Sequence, residues 1–220
     1  MIQVKDLEKS FPDGKNHRKH LLRGICLEAE KGAFIAIMGA SGSGKTTLLS
    51  ILGTLMEPDS GTYFLNGQDM TLRPPDRRIR NRAIGFLFQE PRLMPQLNVR
   101  DNILLPTLAY QNRTYTAQEA YARQLMELSG IASLTRRYPH TLSGGEAGRV
   151  ALCRALVMKP PVLLADEPTG QLDADNARQT VALLSRVNRE LDTTILLVTH
   201  SAETASAAQK RLTLQNGLLK

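Results

Sequence analysis

Apolar and polar residues alternate at Ile2, Val4 and Leu7, the two-residue period of a strand, read here as an edge strand. Residues 9–14 read as a turn and 16–20 as a basic loop. Ile25, Leu27 and Ala29 then alternate with Cys26, Glu28 and Glu30 in a second strand. Residues 33–38 form an unbroken apolar run, which suits a buried strand, and 47–52 suit a helix. Residues 62–65 followed by Asn66-Gly67 read as a strand and hairpin turn. Residues 84–88 predict a strand that ends at Gln89.

From residue 97 the period lengthens. Val99, Ile103, Leu104 and Leu108 mark one helical face, and Ala122, Leu125, Met126 and Leu128 mark a second, stopped by Gly130. Ser143, with Glu146 three residues on, predicts a capping box opening a helix to about residue 158. Residues 162–165 predict a buried strand ending in Asp166-Glu167. A helix over about 175–189 follows, then a strand over 193–199 ending at His200, then a short helix and a strand near 211–214. Alternating apolar strands and helices predict an α/β fold with a mostly parallel sheet covered on both sides. The first segment adds an antiparallel β subdomain, and residues 95–158 an inserted α-helical subdomain. Ligands of such sheets bind beyond the C-terminal strand ends, where Met38, Gln89, Asp166 and His200 fall.

The chain of 220 residues can bury a full core and is read as one domain over 1–220. Its net charge of +7 suits phosphates, an anionic membrane or nucleic acid without choosing among them. Two cysteines are too few for a disulfide framework, and Cys26 and Cys153 are both expected to be buried thiols in a reducing compartment. No apolar stretch is long enough to span a bilayer, and the N-terminus has no signal core, so the chain is expected in the cytosol. The basic residues Arg73, Arg77, Arg78, Arg80 and Arg82 suit a solvated helix face, or contact with lipid phosphates or an acidic partner.

Gly39, Ala40, Ser41, Gly42, Ser43, Gly44, Lys45 and Thr46 spell G-x-x-x-x-G-K-T between a predicted strand and a predicted helix, the context that makes the phosphate-binding loop a structural statement. Glycines let backbone N–H groups close on phosphate, and the helix N-terminus adds partial positive charge. Lys45 is expected on the β- and γ-phosphates and the Thr46 hydroxyl on Mg²⁺. Asp166, after four apolar residues, suits the Mg²⁺ shell. Glu167 suits polarisation of an attacking water. Gln89 can both donate and accept, which suits a metal ligand or water positioner, and His200 can donate to a γ-phosphate.

Leu142-Ser143-Gly144-Gly145, opening a helix shortly before Asp166, resembles the signature of ATP-binding cassette (ABC) ATPases, and the resemblance spans the chain. It implies ATP and Mg²⁺ as cofactors and head-to-tail homodimerisation. Phe11 would stack on adenine, Gly39–Thr46 with Thr47 would hold phosphate, and Gln89 would be the Q-loop residue. Ser143, Gly144 and Gly145 would close on the partner's nucleotide. Asp166 and Glu167 would be Walker B and the catalytic base, Asp173 the D-loop aspartate and His200 the switch. The chain is most similar to the lipoprotein-releasing and macrolide-efflux branch, implying a bacterial permease partner and a peripheral place on the cytoplasmic face of the inner membrane. Glu146, Ala147 and Gly148 depart from the family's usual continuation, and Gln171 stands where a smaller residue is common. Two other readings are a regulatory ATPase on a permease-like signalling partner and a nucleic-acid-associated one. No stable nucleic-acid binding is expected, because that class usually carries two cassettes or a long coiled-coil insertion.

Overall fold

The computed structural model describes residues 1–14, 17–71, 77–109 and 115–220. In chain order its strands are β1 (Ile2–Pro12), β2 (Arg18–Ala29), β3 (Phe34–Met38), β4 (Ser60–Leu65), β5 (Gln68–Asp69), β6 (Ile84–Leu87), β7 (Val162–Asp166), β8 (Thr194–Thr199), β9 (Lys210–Gln215) and β10 (Leu218–Leu219). The α-helices are α1 (Lys45–Leu52), α2 (Arg77–Ala83), α3 (Val99–Leu104), α4 (Tyr115–Leu128), α5 (Gly144–Leu156), α6 (Ala174–Leu191) and α7 (Ala202–Ala205). Short 3₁₀ turns lie among them.

One sheet is antiparallel, in the order β2-β1-β4-β5, and the other runs β10-β9-β3-β8-β7-β6. In the second sheet every pairing except β9 with β10 is parallel. β1 is therefore interior rather than an edge: Ile2 pairs Ala29 on one side and Leu65 on the other. Its alternation reports which face is buried, not how many neighbours it has. β1 also runs through residues expected in a turn, because Asp59 accepts from the Ser10 backbone and from Lys9 Nζ, both at 2.8 Å. β2 likewise begins at Arg18, inside the expected loop. Asn66 and Gly67 both take left-handed φ, 51° and 77°, as a two-residue hairpin requires.

Side chains alternate across the parallel sheet and build two cores. Phe34, Ala36, Leu163, Ala165, Ile195 and Leu197 face α3, α4, α5 and α6. Ile35, Ile37, Val162, Leu164, Leu196 and Val198 face α1 and the antiparallel sheet. Helices α1 and α5 thus lie on opposite faces of one sheet.

Val99, Ile103 and Leu104 are buried as their spacing predicts, whereas Leu108 is 72% exposed. α3 ends at Leu104 and continues as a 3₁₀ turn over Leu105–Ala109, so the three-residue period swings Leu108 outward. Cys153 is buried but Cys26 is exposed, against expectation. In β2, Ile25 and Leu27 take the inner face and Cys26 must take the outer one. Of the basic stretch, Arg73 lies outside the described residues. Arg80 is half-buried and donates to the Thr54 carbonyl at 3.4 Å.

Candidate functional site

Parallel register aligns the strand ends. Leu87 pairs Ala165, Ala165 pairs Leu197, and Met38 pairs Thr199. The segments just beyond, carrying Gly39, Gln89, Glu167 and His200, therefore leave one edge of the sheet together.

The loop after β3 turns into α1 through Gly44, which takes φ 105° at the N-cap and would strain any L side chain. Gly39 is required by space: a Cβ there would lie 2.6 Å from the Leu214 carbonyl and 2.7 Å from Ser43 Oγ. Ser43 Oγ is itself buried without a hydrogen-bond partner among the described residues, an unused donor inside the loop. Lys45 is buried. Its Nζ donates to the carbonyls of Gly39 (2.8 Å) and Ala40 (3.1 Å) and stands 3.8 Å from Glu167 Oε1. Ser41 and Gly42 are exposed at the loop tip, and Thr47 lies half-buried on α1. This cradle of loop amides, a cation and an orphan hydroxyl fits a polyphosphate.

Thr46 Oγ1 donates to Asp166 Oδ1 at 3.2 Å across 120 residues of chain. Burial, with the Glu167 charge adding to it, holds Asp166 above the usual carboxylate range against the Thr46 hydrogen bond. A hydroxyl beside a desolvated carboxylate is a hard oxygen set that fits Mg²⁺ shared with phosphate. Among the described residues no cluster of three His, Cys, Asp or Glu could hold a metal without such a ligand.

Glu167 adopts φ 44°, a left-handed conformation of the kind that costs a non-glycine residue roughly 1–3 kcal/mol. Two backbone bonds hold it there: its N–H donates to Val198 O, and its carbonyl accepts from Gly170 N, both at 3.0 Å. Its Oε2 accepts from the His200 backbone N–H at 3.2 Å and lies 3.0 Å from His200 Nδ1. The carboxylate is thereby set between Lys45 and His200. Gln89 is exposed, with Nε2 3.3 Å from where a Cβ on Gly170 would stand, so it sits against the turn that Glu167 opens.

The signature segment lies elsewhere. Ser143 Oγ accepts from Glu146 N at 3.2 Å, and Glu146 Oε2 accepts from Ser143 N at 2.7 Å, a complete capping box. That backbone bond from Ser143 holds the Glu146 carboxyl below its usual range. Gly144 is exposed and Gly145 buried against α6, whose N-cap is Asp173. Asp173 accepts from Asn176 N at 2.9 Å and from Asn176 Nδ2 at 2.7 Å.

A groove of about 540 Å³ beside the phosphate loop is lined by Lys19, Leu21, Arg23 and the turn over residues 213–217. Phe11 does not line it, though Lys19, its cross-strand partner, does. No sequence pattern marks these walls. β9 joins β3 in parallel from 175 residues away (Ile35 with Lys210), and nothing local announces such a pairing.

A phosphate loop on a buried parallel strand, with acid, base and amide at the neighbouring strand ends, defines the P-loop nucleoside triphosphatases. Residues 22–170 match the ABC transporter family, and the chain belongs to it as an ATPase. It is 45% identical, over all of its length and 96% of the relative's, to the lipoprotein-releasing system ATP-binding protein LolD 1 of Rhodopirellula baltica. It is 39% identical to the macrolide export ATP-binding/permease protein MacB of Syntrophobacter fumaroxidans, matching 31% of that longer chain over all of its own. The ATP-binding cassette MJ0796, solved as a dimer in a post-hydrolysis state with ADP and Pi, matches with TM-score 0.89 and 31% identity, over all of this chain and 97% of that one. Among the described residues no helix is long and apolar enough to cross a membrane.

Proposed function

We propose that this chain is the ATP-hydrolysing subunit of a lipoprotein-releasing or macrolide-efflux type transporter, acting as a head-to-tail homodimer beneath a permease on the cytoplasmic face of the bacterial inner membrane. We read residues 1–220 as one ATP-binding domain with 95–158 as its helical subdomain. The observation carrying this reading is that the phosphate loop on α1 and the signature on α5 lie on opposite faces of the sheet. One chain cannot bring both to one nucleotide, whereas two antiparallel copies can.

In this reading Gly39–Thr46 and Thr47 hold the triphosphate, and Phe11 stacks on adenine. Thr46, Asp166 and Gln89 hold Mg²⁺, which when bound neutralises charge developing on the phosphates. Glu167 accepts the proton of the attacking water while His200 orients it, and Ser143, Gly144 and Gly145 of the second copy close on the γ-phosphate, the Ser143 N–H exchanging its bond to Glu146 Oε2 as they do. Asp173 braces the joint. An apolar groove of about 680 Å³, lined by Leu55, Phe86, Phe88, Leu105 and Pro106, supports a permease contact, since it suits an amphipathic segment of a partner. Glu167→Gln should bind ATP and dimerise with it by light scattering while turnover falls by roughly 10³-fold or more. Hydrolysis at the parental rate would remove Glu167 as base, and a monomer at saturating Mg-ATP would remove the shared site.

A further inference from the structure

Arg154, in the last turn of α5, is half-buried and has no ion-pair partner among the described residues. Both arms of its guanidinium go to backbone carbonyls of the loop after β6: Nη2 donates to Pro91 O at 2.6 Å and Nη1 to Arg92 O at 2.7 Å. Burial draws the guanidinium below its ordinary value, so the site desolvates a cation without a carboxylate in return.

Neighbouring contacts fix the distance that the fork spans. A Cβ on Gly85 in β6 would lie 2.5 Å from the Ala155 carbonyl, so strand and helix touch backbone to backbone one residue from Arg154. Arg92 takes φ 46° and lays its guanidinium 4.4 Å from the Phe88 ring, which stacks on Phe86 at 4.2 Å. Phe86 and Phe88 line the apolar groove, and Gln89 follows Phe88 directly.

We propose that Arg154 is a positioning residue for ATP hydrolysis, fastening the loop that carries Gln89 to the signature helix so that groove, Gln89 and signature move as one body. The inference rests on the function proposed above. A planar fork can hold two adjacent carbonyls at once, whereas an ammonium cannot hold both in the same geometry.

The test is the purified full-length protein with Arg154→Met and Arg154→Lys, each also made with Glu167→Gln for binding measurements. Expected are ATP affinities within about twofold of the parent, but kcat per folded molecule about tenfold or more lower for Met, with Lys in between, since small misplacements of a catalytic group have effects of this size. Amide exchange should rise over residues 86–97 and not over the phosphate loop. An unchanged kcat per folded molecule in both variants, or a loss matching only the unfolded fraction, would overturn the proposal. An inactive parent would overturn the underlying functional reading instead.

Discussion

Gly145 is a glycine because of α6, and this can be separated experimentally from any role at a nucleotide. A Cβ at position 145 would stand 2.3 Å from Asn176 Oδ1 and 2.8 Å from its Cγ. Contact between such atoms is comfortable near 3.5 Å, so the overlap is about an ångström. Asn176 cannot simply swing away, because its Nδ2 is bonded to the α6 cap, Asp173, at 2.7 Å. Gly145→Ala must therefore break that bond or push α5 off α6, and overpacking of this kind costs roughly 1–3 kcal/mol. Asn176→Ala alone loses one exposed hydrogen bond, about 1 kcal/mol. In the double variant the obstructing amide is gone and only the second loss remains. The pair should then fall short of additivity by roughly 1–3 kcal/mol in urea unfolding, the whole cost of Gly145→Ala and a coupling above the usual error of such cycles. Simple additivity would refute the close-approach argument. A fully stable Gly145→Ala that hydrolyses ATP poorly would show that the glycine answers to the nucleotide alone.

Other expectations concern single sites. Gly148 is interior to α5, and a methyl group added there would meet nothing within 4 Å, so Gly148→Ala should stabilise the protein by about 0.5–1 kcal/mol in the same assay. Asp166, whose pKa is raised in the fold, favours folding when protonated and loses that contribution as pH rises past the usual carboxylate range. Asp166→Asn keeps an acceptor for Thr46 and cannot ionise, so without nucleotide its melting temperature should gain on the parent between pH 4 and 7, roughly the carboxylate window, while Mg-dependent ATP binding is lost. A less stable variant at pH 7 would contradict this. Cys153, with its thiol pushed up to about 12 by burial, should resist a thiol reagent until unfolding, while exposed Cys26 reacts at once.

What could be read from the sequence follows how local the determining physics is. The phosphate loop, the capping box and the strand ends at Gln89, Asp166 and His200 are set by neighbours in the chain, and they stand where the patterns place them. The interior position of β1 depends on β4, which returns some sixty residues later to pair Leu65 with Ile2, and alternation is silent on that. Cys26 was decipherable: a strand that buries Ile25 and Leu27 must expose the residue between them. The same is true of β10, since Asn216-Gly217 repeats the hairpin signal of Asn66-Gly67, with φ of 54° and 78°. The groove wall at residues 213–217 and the Arg154 fork were not, because both depend on contacts between segments far apart in the chain.

The phosphate site satisfies much of its charge from within, and this bears on how binding and assembly are linked. Lys45 holds two carbonyls of its own loop and leans on Glu167, which in turn is held by His200. An incoming triphosphate must exchange those contacts, so its affinity for one chain is the difference between two sets of charged interactions. At the signature helix the Ser143 N–H is held by the Glu146 carboxylate and the Glu146 N–H by Ser143 Oγ, while Ser143 and Gly144 are exposed. Donors from a second copy therefore add to binding by exchanging these two cap bonds in turn. By linkage, whatever affinity the second copy adds to the nucleotide, the nucleotide adds to the dimer.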